Sequence, residues 1–319
     1  MQKIGVIGGG AWGTAIANLL SHNVGDVKLW VREQETADNI NSSHINENFL
    51  PSVILHKDLT AITDLTLFTD SSILFLVVPA QFTASTIKPL QGILSKETIL
   101  VICSKGIETK SKKLLTDIVK EIFPENKIAA MSGPNFADEV ANLKPAITTV
   151  ASDDAIAAKS VAQVLENDNF KVYIHSDIIG VELAGALKNV VAIASGIATG
   201  LDLSVSTKCA ILTKGIHEMA RISVALGGKR ETMLEACGIG DLTLTCMSEK
   251  SRNMSLGIAI GQGQKLSEIL AKRNTVAEGV ATSKALYEII NQYNLNCHLF
   301  TLVYQILFED LPLDQVKFI

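Results

Sequence analysis

The chain has 319 residues, 47% of them apolar, and a formal net charge of −5. That length and apolar content suit two cored domains and exclude a disordered chain. The negative balance argues against nucleic acid as an obligate partner, and a small anionic substrate would need a local basic pocket.

The predicted elements start at once. Met1-Gln2-Lys3 leads directly into an apolar strand over Lys3–Gly8, which does not read as a signal peptide. A helix over Ala11–Leu20, a strand over Val27–Val31 and a largely helical stretch over Glu33–Asn46 follow. Apolar strands are predicted at Ser72–Val78, Ile99–Ser104, Lys127–Ser132 and Ala146–Val150, with helices at Lys110–Ile122 and Asp154–Leu165 and a last strand at Phe170–His175. Continuous apolar strands alternating with helices imply an α/β fold, a doubly wound and mostly parallel sheet covered on both faces. Beyond Ile178 the strand-like runs vanish. Val181–Thr199, Thr207–Leu226, Leu266–Ala271, Thr282–Tyr293 and Thr301–Glu309 read as helices, the last closed by Pro312. The expected organisation is therefore an α/β domain over 1–178 and an all-α domain over 179–319.

Gly8-Gly9-Gly10-Ala11-Trp12-Gly13 matches Gly-x-Gly-x-x-Gly between the first strand and the first helix. Gly8 permits the tight turn, Gly10 lets the backbone approach a pyrophosphate, and Gly13 allows close packing of helix on strand. The helix N-terminus adds free N–H groups and partial positive charge. At the end of the second strand Arg32 suits a 2′-phosphate, which favours NADPH, while Glu33 keeps NADH open.

Lys188 lies in the almost wholly apolar run Val181–Gly196. Burial there would push its pKa down toward neutrality, which suits an acid/base group. The same run is long enough to raise a membrane span, but Glu182, Lys188 and Asn189 favour a buried helix. Lys105 follows a strand end, where ligands of doubly wound sheets sit. Met131–Ala137 holds a Gly133-Pro134 turn that could expose backbone N–H groups. Asp241, flanked by glycines, reads either as a helix cap or as a partner for a lysine. Ser251-Arg252-Asn253 sets hydroxyl, guanidinium and amide side by side, a set that suits a phosphate as well as a solvated loop. Val276-Ala277-Glu278-Gly279 is a turn before a helix. Five scattered cysteines without a Cys-x-x-Cys read as reduced thiols, and six scattered histidines without ligand spacing predict no metal.

Taken in order, Gly8–Gly13, Ser104-Lys105-Gly106, Ser132-Gly133-Pro134, Ala186-Leu187-Lys188-Asn189, Gly238–Leu242, Ser251-Arg252-Asn253 and Val276–Gly279 closely resemble NAD(P)-dependent glycerol-3-phosphate dehydrogenases of the bacterial biosynthetic type. The resemblance spans nearly the whole chain. It implies reduction of dihydroxyacetone phosphate by NADPH, with NADH also usable, to sn-glycerol 3-phosphate, the precursor of membrane phospholipids. It implies a Rossmann domain joined to an all-α domain of the 6-phosphogluconate dehydrogenase C-terminal type, a cytoplasmic location, no membrane span and a homodimer. By position it makes Lys188 the catalytic acid/base. Lys105, Gly133, Lys188, Asp241, Ser251, Arg252 and Asn253 become substrate contacts. Gly8, Gly10, Trp12, Gly13, Arg32, Lys105, Ala137, Arg252, Val276 and Glu278 become cofactor contacts. Three departures stand out: Ala11 and Asn135 replace serines common in the family, and Cys297-His298-Leu299 replaces a stretch that usually holds a proline. The competing readings are a related two-domain β-hydroxyacid or sugar-acid dehydrogenase, and a non-catalytic NADP(H) sensor.

Overall fold

A computed structural model describes residues 3–272 and 277–318. The chain divides into two compact units, Met1–Ser104 with Leu115–Ile178, and Lys105–Leu114 with Ile179–Ile319. The first unit runs β1 (Ile4–Ile7), α1 (Ala11–Val24), β2 (Val27–Trp30), α2 (Gln34–Ser43), β3 (Leu59–Ile62), β4 (Ile73–Leu76), α3 (Thr83–Ile87), β5 (Ile99–Ile102), α4 (Leu115–Ile122), β6 (Ile128–Ser132), α5 (Ala137–Ala141), β7 (Ala146–Ala151), α6 (Ala155–Leu165) and β8 (Phe170–His175). The second holds α7 (Ile178–Gly200, entered at the boundary), α8 (Val205–Ala225), α9 (Asp241–Met247), α10 (Arg252–Gly261), α11 (Leu266–Lys272), α12 (Glu278–Gln292) and α13 (His298–Phe308).

The eight strands form one sheet in the order β3-β2-β1-β4-β5-β6-β7-β8. All neighbours are parallel except β6 and β7, whose register pairs Met131 with Val150 in antiparallel fashion. Side chains alternate across the strands. Ile4, Val6, Leu29, Ile73, Phe75 and Val101 share one core with Ile16 and Leu20 of α1 and Val161 of α6. Leu74, Leu76, Leu100 and Ile102 point to the other face and are equally buried. Both faces are thus covered, which is why these strands read as continuous apolar runs. The strand order reverses between β1 and β4, and in such sheets ligands bind outside the carboxyl ends of the strands at that point.

In the second unit α7 is buried around its whole girth, 94% of its most apolar window lying inside the fold. Its length and composition alone would pass for a membrane span; burial on every side explains the same composition. Two glycine pairs let α10 lie backbone to backbone against it. A Cβ on Gly257 would stand 2.2 Å from the Ile193 carbonyl oxygen, and one on Gly200 would stand 2.3 Å from that of Ile258.

Several elements depart from the expectation. Leu59–Ile62 is a strand that its polar neighbours concealed. The helix expected over Lys110–Ile122 begins only at Leu115. Before it, the Glu108 carboxylate accepts the backbone N–H of Lys110 (3.0 Å) and of Ser111 (2.7 Å), and Lys112 adopts φ 60°, so this stretch folds as turns. Lys112 also pairs with Glu288 of α12. α13 starts at His298 rather than Thr301, because the buried Glu218 of α8 accepts from the Leu299 N–H (2.9 Å) and the Phe300 N–H (3.3 Å). That carboxylate caps the helix in place of an N-terminal proline or serine.

Candidate active site

The glycine turn between β1 and α1 is built for close approach. Gly8 has φ +128°, and its N–H donates to the Trp30 carbonyl at 3.1 Å. A Cβ on Gly13 would stand 1.8 Å from the Gly8 carbonyl oxygen, so only glycine lets α1 start this near the strand. Above Gly10 the space is open, with nothing within 4 Å of a Cβ placed there. Asn46 braces the turn by donating to the Gly9 carbonyl (2.9 Å) and the Thr14 hydroxyl (2.8 Å). Trp12, in the first turn of α1, has its indole Nε1 buried without a hydrogen-bond partner. Trp12 and Ala137, the first residue of α5, pack against the same core. An open cradle, free first-turn N–H groups and an orphaned indole donor fit a dinucleotide.

Gly133 follows β6, where a Cβ would stand 2.7 Å from the Thr148 Cα. Close packing on β7 therefore demands glycine there whatever else it does. Asn135 donates to the Ile147 carbonyl at 2.8 Å, and its Oδ1 is buried without a partner. Arg32 and Glu33, just beyond β2, pair with each other.

The second unit brings together three charged residues that lie far apart in sequence. Lys105 donates to Asp241 Oδ2 at 2.6 Å, and Lys188 donates to Asp241 Oδ1 at 2.5 Å. Asp241 is wholly buried and Lys188 almost so. Lys188 also donates to Thr245 Oγ1 at 2.6 Å, whose hydroxyl donates to the Asp241 main-chain carbonyl at 2.6 Å. Each lysine thus holds one carboxylate oxygen, and Asp241 is the lysine partner rather than a cap. A π-helical turn at Ala236–Gly240 aims it: a Cβ on Gly238 would stand 2.2 Å from the Met233 carbonyl oxygen, so the turn can only pass there as glycine. Such turns commonly mark functional positions.

Electrostatics follow from this geometry. Burial pushes the Lys188 amine down from 10.5 to about 8, with Asp241 opposing the fall and Lys105 adding to it. Burial also pushes the Asp241 carboxyl up, but the two lysines together outweigh it and leave it below the usual carboxylate range. The Cys246 thiol beside them is driven up to about 12 by burial and stays protonated. The trio carries one excess positive charge.

Ser251 caps α10, its hydroxyl accepting the Met254 N–H at 3.2 Å. Arg252 and Asn253 therefore occupy a helical first turn rather than a loop. Arg252 is exposed, while Asn253 is buried and donates to Asn189 Oδ1 at 3.0 Å. Its own Oδ1 accepts the Gly279 N–H at 3.0 Å, which ties α7, α10 and the start of α12 together. Glu278 is in the first turn of α12, and Val276 lies outside the described residues. Two partners escaped sequence reading. Thr245 was findable, since it sits four residues after Asp241 on the same helical face. The contact of Asn189 with Asn253 carried no sequence signal. Among the described residues no cluster of three His, Cys, Asp or Glu side chains could hold a metal ion.

The comparisons cover both units. A family model described as the N-terminus of NAD-dependent glycerol-3-phosphate dehydrogenase matches residues 3–158, and one for its C-terminus matches 177–317. A protein from Halothermothrix orenii named glycerol-3-phosphate dehydrogenase [NAD(P)+] is 41% identical over 320 residues, covering 99% of this chain and 94% of that protein. One of the same name from Caulobacter vibrioides is 39% identical, covering 98% and 95%. The crystal structure of a glycerol-3-phosphate dehydrogenase from Coxiella burnetii superposes with a TM-score of 0.94 at 32% identity, covering 98% of this chain and 97% of that one. With matches that run through the glycine turn and the Lys–Asp–Lys cluster alike, this chain belongs to the NAD-dependent glycerol-3-phosphate dehydrogenase family.

Proposed function

We propose that this chain reduces dihydroxyacetone phosphate to sn-glycerol 3-phosphate with NADPH, in the cytoplasm and as a homodimer, and so supplies glycerophospholipid synthesis. NADH is the second cofactor. The first unit binds the dinucleotide and the second carries the chemistry. The observation that carries the reading is the Lys105–Asp241–Lys188 chain built around a buried carboxylate.

When bound, the nicotinamide supplies a hydride to the ketone carbon. Lys188 Nζ donates its proton to the carbonyl oxygen as negative charge builds there, and a pKa of about 8 lets the amine give up the proton near neutral pH. Asp241 holds Lys188 in one place and keeps its pKa from falling further. The excess positive charge of the trio stabilises the developing oxyanion. Once Lys188 has given its proton, Lys105 and Asp241 remain as a neutral pair, so no uncompensated charge is left buried. Arg252, with Ser251 and Asn253 at the start of α10, takes the substrate phosphate, where N-terminal N–H groups favour an anion. Gly133 contributes main chain to the substrate. Binding energy spent on that remote phosphate positions the reacting carbon. On the cofactor side, Gly10 and Trp12 would meet the pyrophosphate, at the turn that Gly8 and Gly13 make possible. Arg32 would hold the adenosine ribose end, and Lys105, Ala137, Arg252 and Glu278 are the further candidates for cofactor contacts.

The test is loss of NADPH absorbance in the presence of dihydroxyacetone phosphate, for the wild type and Lys188→Ala. The wild type turns over, and Lys188→Ala loses at least about 100-fold in kcat, the usual share of a positioned acid, while still binding NADPH. Turnover of the variant within about tenfold of wild type would remove Lys188 from the role, since a lost general acid costs more than that. Wild-type protein that binds NADPH but consumes none would overturn the substrate assignment.

A further inference from the structure

We propose that Glu33 is a specificity-determining residue: by engaging Arg32 it weakens the grip on a 2′-phosphate and lets the chain accept phosphorylated and unphosphorylated dinucleotides alike. The proposal rests on the reading that the glycine turn binds the dinucleotide.

The position of both residues is set by backbone. Val31 packs against the glycine turn, since a Cβ on Gly9 would stand 2.4 Å from Val31 Cγ1, and its N–H donates to the Ile62 carbonyl at 2.9 Å. Trp30 donates its indole N–H to the Thr63 carbonyl at 2.9 Å, and the Thr63 hydroxyl donates to Gln34 Oε1 at 3.0 Å. Arg32 and Glu33 are therefore held between fixed points right beside the cradle. In doubly wound folds the end of the second strand is where a carboxylate meets ribose hydroxyls or an arginine meets a 2′-phosphate. This chain has both, one after the other.

They face each other. Arg32 Nε donates to Glu33 Oε1 at 2.6 Å, and Nη2 contacts the same oxygen. That edge of the guanidinium is one of the two that can grip a phosphate with parallel N–H bonds. Among the described residues the Glu33 carboxylate has no partner besides Arg32. Glu33 stands at the N-cap of α2, yet its side chain makes no capping hydrogen bond. The side chains are 83% and 49% exposed, so the pair is weak enough to open for a ligand. The surroundings add to the effect. From Val31 to Ser43, Arg32 is the one basic residue against Glu33, Glu35 and Asp38. Along this stretch a 2′-phosphate finds one positive charge among three carboxylates. A 2′-hydroxyl finds in Glu33 an acceptor already in place.

The test measures binding of NADP+ and NAD+ to the full chain by isothermal titration calorimetry, for wild type, Glu33→Gln and Arg32→Ala. Glu33→Gln tightens NADP+ by about two- to fivefold, the upper part of what release of an exposed ion pair allows, and leaves NAD+ equal or weaker. Arg32→Ala weakens NADP+ and changes NAD+ little. The fragment 2′-AMP should follow NADP+, and 5′-AMP should follow NAD+. A ratio of the two dinucleotide Kd values that is unchanged from wild type in Glu33→Gln overturns the proposal. Wild-type protein that binds neither dinucleotide overturns the cofactor reading itself, a result distinct from an unchanged ratio.

Discussion

Lys188 and Asp241 show what a single buried charge can tell a reader of sequence and what it cannot. An amine in an apolar run announces a depressed pKa, because a helix apolar all round is buried on every side and takes the amine with it. Its partner was ambiguous: Asp241 could as well have capped a helix. The pair has a kinetic consequence. Reduction needs Lys188 protonated, so kcat/KM for dihydroxyacetone phosphate falls as pH rises through about 8, and oxidation of glycerol 3-phosphate rises over the same range. In Asp241→Asn the charge that raises the Lys188 pKa is gone, while burial and Lys105 still lower it. The alkaline limb should then move below pH 8, together with a loss of rate. A pH–rate profile for the two proteins decides this; a limb that stays put would detach Asp241 from the titration of Lys188.

At the scale of elements, the helix pair α7 and α10 depends on glycines that sequence reading treats as breakers. Gly257 and Gly261 helped hide the helix from Arg252 to Gly261, yet their missing side chains are what permits backbone contact with Gly196 and Gly200. Gly257→Ala would drive a methyl to 2.2 Å from the Ile193 carbonyl. We expect a loss of about 2 kcal/mol in urea unfolding, the ordinary size of an overpacking penalty. Because α10 also presents Arg252 and Asn253, KM for the triose phosphate should rise more than kcat falls. Equal stability and KM would show that the helices can move apart freely. Other elements were more or less legible for stated reasons. The central strands β1, β4 and β5 are apolar on both faces and read plainly. β3, of the same length, alternates buried with more exposed residues and carries a polar Thr60. The stretch 110–114 has a helical pattern, but the Glu108 carboxylate offers its backbone a competing set of hydrogen bonds.

For the whole molecule, the buried lysine is a cost that pH can relieve. Unfolded, Lys188 keeps its proton to 10.5; folded, it releases it near 8. Between those values the unfolded chain binds more protons, so this group makes stability rise with pH. Cys246 and Cys297 work the other way above pH 9, since burial holds their thiols protonated to about 12 and about 11. The lysine effect is cleanest as a difference. Stability of the wild type relative to Lys188→Met should gain about 1 kcal/mol per pH unit between about 8 and 10.5, read from urea unfolding at matched pH. A difference that stays flat would mean that Lys188 titrates normally in the fold.

Much of this protein was determined by sequence alone, because it depends on local pattern. The glycine turn, the alternation of strands with helices, the change to all-helical texture near Ile178 and the amine in an apolar helix are each written within a few consecutive residues. Tertiary structure decided the rest, because it depends on packing between distant segments. Lys188 meets Asp241 across 53 residues and Lys105 meets it across 136. The segment that carries Lys105 belongs to the helical unit, although it follows a strand of the other. Which oxygen each lysine takes, and the burial that pushes the Lys188 amine to about 8, follow from how the π-helical turn and the glycine-packed helices bring those side chains together.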